Sequence, residues 1–214
     1  MEVKKIHPPV KPFLQVKLDH EVISYLWMII ENSKTSNINF NDKLAGNISQ
    51  SLLLEDQDSF FYKSVCLPLI QYYRKNNPIG DDPVAANTLL GPNSKLLLNQ
   101  LWVNYQYKNE FNPYHDHSGV YSFAIWMKIP YSWEDQKTLP QFQDMNESDI
   151  KAGNFEFEYN ECLGGIRNFA YNLSPEYEGT MLFFPAKLRH CVYPFYSTDE
   201  PRISIAGNLS YLPA

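Results

Sequence analysis

NPYHDHSGVYSF, residues 112–123, places two histidines one residue apart beside a run of apolar and aromatic side chains, and the reading of the fold starts here. If 114–129 is one strand, side chains two apart share a face. His115 and His117 then turn to the same side and Asp116 to the other. A third histidine, His190, opens a second predicted strand within GTMLFFPAKLRHCVYPF, residues 179–195. Two close ligands and one distant one make a facial triad, which leaves positions on an octahedral metal open, as an oxygen-activating non-haem iron requires. Imidazole suits zinc, copper and nickel as well, so the histidines alone do not name the metal. An H-x-H pair taken by itself is also compatible with ordinary packing.

Outward from this stretch, the chain after Leu96 consists of short apolar and aromatic runs broken by Gly, Pro and Asn, the pattern of an all-β barrel or sandwich. Strands are expected at 96–107, 114–129, 155–160, 166–172, 180–184, 190–195 and 202–209. The polar segment 131–154 is too long for a hairpin turn and reads as disordered or as a lid. Towards the N-terminus the texture is helical. Asp19 can cap a helix that carries Val22, Leu26, Ile29 and Ile30 on one face and runs to about Ser33. A second helix, from Asp58 or Ser59, carries Phe61, Val65, Leu69 and Tyr72, with a kink at Pro68 and an end before Asn77-Pro78. LAGNISQSLLLED, residues 44–56, shows no clear period, and 78–95 reads as a linking loop. The expected organisation is one compact unit: a helical and extended support region over 1–95, packed on a β core over 96–214.

The 214 residues carry a formal charge of -6, with a sequence pI near 5.4. Without clustered Lys and Arg, no nucleic-acid partner is expected. No run approaches the roughly 18–20 apolar residues of a membrane span, and MEVKKIHPPVKPF lacks the apolar centre of a signal peptide. A cytoplasmic location is the expectation. Cys66, Cys162 and Cys191 are odd in number and widely spaced, which points to free thiols.

Twelve residues beyond His190 comes Arg202-Ile203-Ser204, on a predicted strand whose same-face positions are Arg202, Ser204, Ala206 and Asn208. A buried arginine needs an anion. Its planar fork grips a carboxylate through paired hydrogen bonds, and the Ser204 hydroxyl can add another. An internal Asp or Glu would satisfy the arginine equally well.

With NPYHDHSGVYSF, GTMLFFPAKLRHCVYPF and PRISIAGNL in that order over roughly 95–210, the chain resembles the 2-oxoglutarate and iron(II)-dependent oxygenases. Within them it looks like a bacterial and phage branch with an H-x-H first motif, related to prolyl hydroxylases. The resemblance implies a double-stranded β-helix, the jelly roll shared with cupins. It implies His115, His117 and His190 as iron(II) ligands, and Arg202 with Ser204 as the clamp on the distal carboxylate of 2-oxoglutarate. Asn104 and Tyr107 are candidates for the other end of that cosubstrate, with packing roles as the alternative. His117 departs from the family pattern. The superfamily usually has Asp or Glu there, so a neutral imidazole leaves the site one negative charge short, and Asp116 could substitute if the strand is bulged.

The implied reaction uses dioxygen to decarboxylate 2-oxoglutarate to succinate and carbon dioxide and to hydroxylate a C–H bond of a peptide, amino-acid side chain or small molecule. A phage-encoded member would act in the host cytoplasm. A homodimer is one option for the assembly. Two other readings stand beside this one: a cupin-like three-histidine metalloprotein that does not use 2-oxoglutarate, and a non-enzymatic viral jelly-roll module. The last would be favoured by histidines more than about 8 Å apart, since metal–imidazole bonds are about 2 Å.

Overall fold

The computed structural model describes residue 4 and residues 11–76 and 95–211. Most of the predicted 78–95 loop lies outside the described residues. The strands are β1 (Leu14–Lys17), β2 (Gln50–Leu53), β3 (Leu96–Gln106), β4 (Asn112–His115), β5 (Tyr121–Lys128), β6 (Phe155–Asn160), β7 (Ile166–Tyr171), β8 (Thr180–Pro185), β9 (Arg189–Val192) and β10 (Arg202–Tyr211). They form two antiparallel sheets, a larger one in the order β1-β8-β5-β10-β3-β2 and a smaller one in the order β4-β9-β6-β7. The architecture is a mainly β double-stranded β-helix with flanking helices.

Strand alternation explains why the larger sheet is apolar on both faces. Tyr121, Phe123, Ile125 and Met127 of β5, with Met181 and Phe183 of β8, point to the helical side. Their neighbours Trp126, Leu182 and Phe184 point between the sheets and meet Phe155 and Phe157 of β6. A strand buried on both faces reads as a near-continuous apolar run, as β5 and β8 do.

Helix α1 (His20–Ser36) covers the outer face with Val22, Leu26, Ile29 and Ile30, the predicted stripe. Asp19 holds the N-cap position without a side-chain hydrogen bond, and Asn37 closes the helix in the left-handed region. The second helical stretch departs from expectation. A π turn over Tyr62–Cys66 precedes α2 (Leu67–Asn76), so the extra residue brings Cys66, Ile70 and Tyr73 onto the buried face, leaves the predicted Leu69 partly buried against the core and turns Tyr72 outward. Tyr72 is 57% exposed.

The N-terminal 95 residues also supply β1 and β2, which extend the larger sheet at its two edges. Neither short strand has enough alternation of its own to be read from sequence. The predicted strand 114–129 is two strands: β4 belongs to the smaller sheet and β5 to the larger, and the chain crosses between them at 116–120. The crossing is pinned by His117 N–H to Ala186 O (2.9 Å) and Val120 N–H to Leu209 O (2.8 Å). Segment 131–154 is ordered and is not a lid over an opening. It contains α3 (Trp133–Lys137), and its buried Gln136 accepts a hydrogen bond from Tyr196 N–H (2.8 Å).

Candidate active site

Between the sheets lies a cavity of ≈ 310 Å³ whose lining includes all three histidines, Arg202 and Ser204. His115 ends β4 and is paired in register with His190 on β9, so one backbone ladder fixes both. His117 lies beyond the strand. It reaches the same side because the crossing turns it back, not through strand alternation. Gly119 makes the turn at φ +104°, where an added Cβ would sit 2.8 Å from Leu209 O. Asp116 borders the cavity, but its carboxylate is exposed and pairs with Lys187 Nζ at 2.9 Å, and the ligand atoms grouped within 4.8 Å of one another are those of the three histidines.

The ligating nitrogens available on the three imidazoles all lie within 4.8 Å of one another. Nδ1 of His115 is 2.7 Å from Pro113 O, and Nδ1 of His190 is 3.1 Å from Leu188 O. These carbonyls hold the protons on Nδ1 and leave Nε2 bare, the tautomer a metal needs. Nε2 of His117 and Nε2 of His190 are 3.2 Å apart. That matches the roughly 3 Å between adjacent nitrogens bound at about 2.1 Å at right angles. Burial pushes all three imidazoles below their ordinary pKa, His117 to about 4 and His190 well down, with the mutual proximity of the three adding to the shift at His117 and His190. Neutral imidazoles at pH 7 are competent ligands, so the donor set fits a divalent first-row metal.

At the other end of the cavity, Arg202 is 2% exposed. Its Nη1 donates to Tyr131 Oη (2.6 Å) and Gly153 O (3.2 Å), and its Nη2 donates to Gln106 Oε1. All three acceptors are neutral, and among the described residues no carboxylate pairs with the guanidinium. The internal Asp or Glu that would have satisfied it is therefore not there. Nε–H and the second Nη2–H have no protein partner among those residues, which leaves a two-donor edge for an incoming carboxylate. Ser204, Ala206 and Asn208 line the cavity in the same row as Arg202, as the period of two requires.

Asn104 lines the cavity too, with its Oδ1 accepting from Ser51 Oγ (2.9 Å). Tyr107 is not brought to the site. It follows the end of β3, is 37% exposed and lies outside the cavity lining. Tyr131 and Gln106, which orient Arg202, were missed by the sequence reading. Gln106 could have been found, since it stands two residues after Asn104 on one strand face and opposite Arg202 in register. Tyr131 carries no such signal. Also missed was the cover of the cavity, where Phe40 and Leu44 lie over it from a short turn at Asn41–Lys43.

A family model described as "Putative 2OG-Fe(II) oxygenase" matches residues 100–208, just over half of the 214-residue chain. No curated protein matches it. Among solved structures, a prolyl-4-hydroxylase from Pseudomonas putida superposes with a TM-score of 0.52 at 10% identity, over 94% of this chain and 93% of that one. An oxidoreductase of the 2OG-Fe(II) oxygenase family from Burkholderia pseudomallei gives 0.46 at 11% identity, over 92% and 84%. At such identities the structural likeness speaks for the fold alone. The family match spans the strands that carry the three histidines, Arg202 and Ser204, and the chain belongs to the 2-oxoglutarate and iron(II)-dependent oxygenases, oxidoreductases that use Fe(II), 2-oxoglutarate and dioxygen.

Proposed function

We propose that this oxygenase is a hydroxylase acting on a peptide, an amino-acid side chain or a small molecule, with His115, His117 and His190 holding iron(II) and Arg202 and Ser204 holding 2-oxoglutarate. The observation that carries the reading is the buried Arg202 without a carboxylate partner, in the same cavity as three neutral imidazoles. Iron with the 2-oxo acid would supply oxygen activation coupled to decarboxylation. The chain's own residues do the rest. The imidazoles present bare Nε2 atoms, Tyr131 and Gln106 hold the guanidinium plane, and Ser204 stands next in the row to donate to the same carboxylate. Trp126 and Phe155 wall the interior against water, while Phe40 and Leu44 cover the opening.

Three neutral ligands leave Fe(II) with one negative charge fewer than a carboxylate-containing set. Weaker metal retention and a readily exchanged iron follow from this donor set. A cupin-like protein that does not use 2-oxoglutarate would have no use for the unpaired arginine. A non-enzymatic module called for histidines more than about 8 Å apart, and their ligand atoms are within 4.8 Å.

The test is anaerobic titration of the Fe(II) protein with 2-oxoglutarate. A weak visible charge-transfer band is expected, lost in His190→Ala and in Arg202→Ala. A folded, iron-loaded protein with no band would overturn the reading.

A further inference from the structure

Strands β3 and β10 run side by side past the cavity, with Gln106 opposite Arg202 at one end and Gln100 opposite Asn208 at the other. At the first end the glutamine accepts from Arg202 and steadies the cosubstrate clamp. At the second, Ser122 Oγ–H donates to Asn208 Oδ1 (2.7 Å), and Asn208 Nδ2–H donates to Gln100 Oε1 (2.7 Å). Ser122 is fully buried, and its hydroxyl has no other partner among the described residues. Its proton must therefore go to an amide oxygen, which sets the direction of the whole relay. The relay ends on Gln100 Nε2, whose two N–H groups meet no acceptor among the described residues. Gln100 lines the cavity and is only half-buried, so that nitrogen stays within reach of a ligand.

A cation stands in the same lining. Lys43 is exposed and makes no ion pair among the described residues. It belongs to the turn whose Phe40 stacks on Trp102, with ring centres 4.8 Å apart, and Trp102 is the neighbour of Gln100 on that face of β3. Among the described residues the one acid in the lining is Asp116, which Lys187 already neutralises. Gln100 and Lys43 are both pure donors at their free atoms, and the surroundings hold no anion left to answer them. The three neutral imidazoles point the same way. A divalent metal, a dianionic cosubstrate and Arg202 sum to one positive charge, where a carboxylate ligand would have brought the sum to zero.

Resting on the oxygenase reading above, we propose that Gln100 and Lys43 are specificity-determining residues that seat a carboxylate of the substrate. Gln100 Nε2–H donates to a carboxylate oxygen, and Lys43 supplies the opposite charge. An ammonium group has no lone pair for Gln100 and would be repelled by Lys43. A hydroxyl or amide carbonyl could accept from Gln100 but would leave Lys43 without a counter-charge. Gln100 is one same-face step, about 7 Å along β3, beyond Trp102, whose ring is 5.9 Å from that of His117. Arg202 lies the other way along the rows, so a substrate carboxylate here does not compete with the cosubstrate.

The probes are butanoate and N-acetylalanine, each against its primary amide, which keeps the shape and loses the charge. Binding is read by NMR on the full chain loaded with Zn(II) and saturated with 2-oxoglutarate, so that Arg202 is occupied. The Fe(II) charge-transfer band is recorded in parallel for every variant. At least one carboxylate should bind about tenfold or more tighter than its amide. A larger ratio for N-acetylalanine points to the α-carboxylate of an amino acid or peptide end, and for butanoate to a side chain or small organic acid. Lys43→Met keeps the aliphatic stem and should lower the ratio severalfold. Gln100→Glu still accepts from Asn208 but puts an anion where the donor was, and should bring the ratio to one or below. Equal binding of acid and amide, no binding of either acid, or a ratio unmoved in Gln100→Glu overturns the assignment, water then serving the Gln100 amide. A band without a carboxylate preference overturns this assignment alone. A preference that depends on Gln100, with no band, upholds it and overturns the cofactor reading.

Discussion

Arg202 shows how a single side chain can be prepared for a ligand by neutral neighbours. Tyr131, Gly153 and Gln106 occupy three of its five N–H groups and fix the plane, and the other two face no protein acceptor among the described residues. Lysine keeps the charge and loses the fork. Arg202→Lys should therefore weaken 2-oxoglutarate binding about tenfold or more, read from the charge-transfer titration, while the three-histidine cluster still takes up metal. The histidines themselves make the metal-free protein acid-sensitive. Their folded pKa values lie below the ordinary 6.5, so as pH falls the unfolded chain takes protons first and stability declines through the window from about 6.5 towards 4 for His117. Urea titrations of metal-free protein at pH 7 and pH 5 should show that loss, and His117→Gln should reduce it. The row Arg202, Ser204, Ala206, Asn208 was legible in sequence because a strand has a fixed period. The environment of Arg202 was not, since Tyr131 arrives from a loop whose path no local pattern dictates. Tyr107 is the opposite case: the period of two sets it with Tyr105, which packs in the core under the helices, on the face away from Asn104 and the cavity.

Loops and junctions decide what the strands deliver. The sequence pattern located most of the strands after Leu96, yet it ran β4 and β5 together: the H-x-H spacing was read as strand alternation, although Asp116, Ser118 and Gly119 punctuate the crossing at 116–120. Gly119 is the residue that permits the crossing, and Gly119→Ala combines an unfavourable φ with a clash at Leu209 O. A loss of about 1–3 kcal/mol in chemical denaturation is expected. Because the strained peptide lies two residues from His117, weaker metal uptake should accompany it. The smaller sheet is held by a different device. Glu156 of β6 is fully buried on the face away from the cavity, where it accepts from Tyr114 Oη and Asn168 Nδ2 (2.7 Å), with Lys151 Nζ 3.2 Å from its other oxygen. Burial alone would raise its pKa, and these partners outweigh burial and hold it below 4.5. Its contribution is complete above the ordinary carboxyl range and is lost as pH falls through the folded value. Because Lys151 is partly exposed and the other partners are neutral, Glu156→Ala should cost about 1–3 kcal/mol at pH 7, and the gap from the unmodified protein should narrow in acid.

At the scale of the molecule, the larger sheet separates two apolar cores. One lies under the helices, with Leu26 and Ile30 fully buried against the outer faces of β3, β5, β8 and β10; the other lies between the sheets and forms the inner wall of the site. Each strand serves both through alternation, so helices that touch no site residue still determine whether the sheet exists. Leu26→Ala tests this division. Removing a fully buried leucine side chain from a well-packed core costs about 3–5 kcal/mol. If the sheet transmits only its backbone position, the variant should unfold at lower denaturant yet bind 2-oxoglutarate, while still folded, with a Kd within about twofold of the unmodified protein. A cavity behind Phe123 or Phe183 that let the sheet flex would instead raise Kd in step with the stability loss, through displacement of Ala124 or Trp126 on the facing side. Measuring unfolding and cosubstrate affinity on the same preparation separates a buttress from a coupled wall, because only the coupled wall makes the two losses scale together across a series such as Leu26→Ala, Ile30→Val and Val22→Ala.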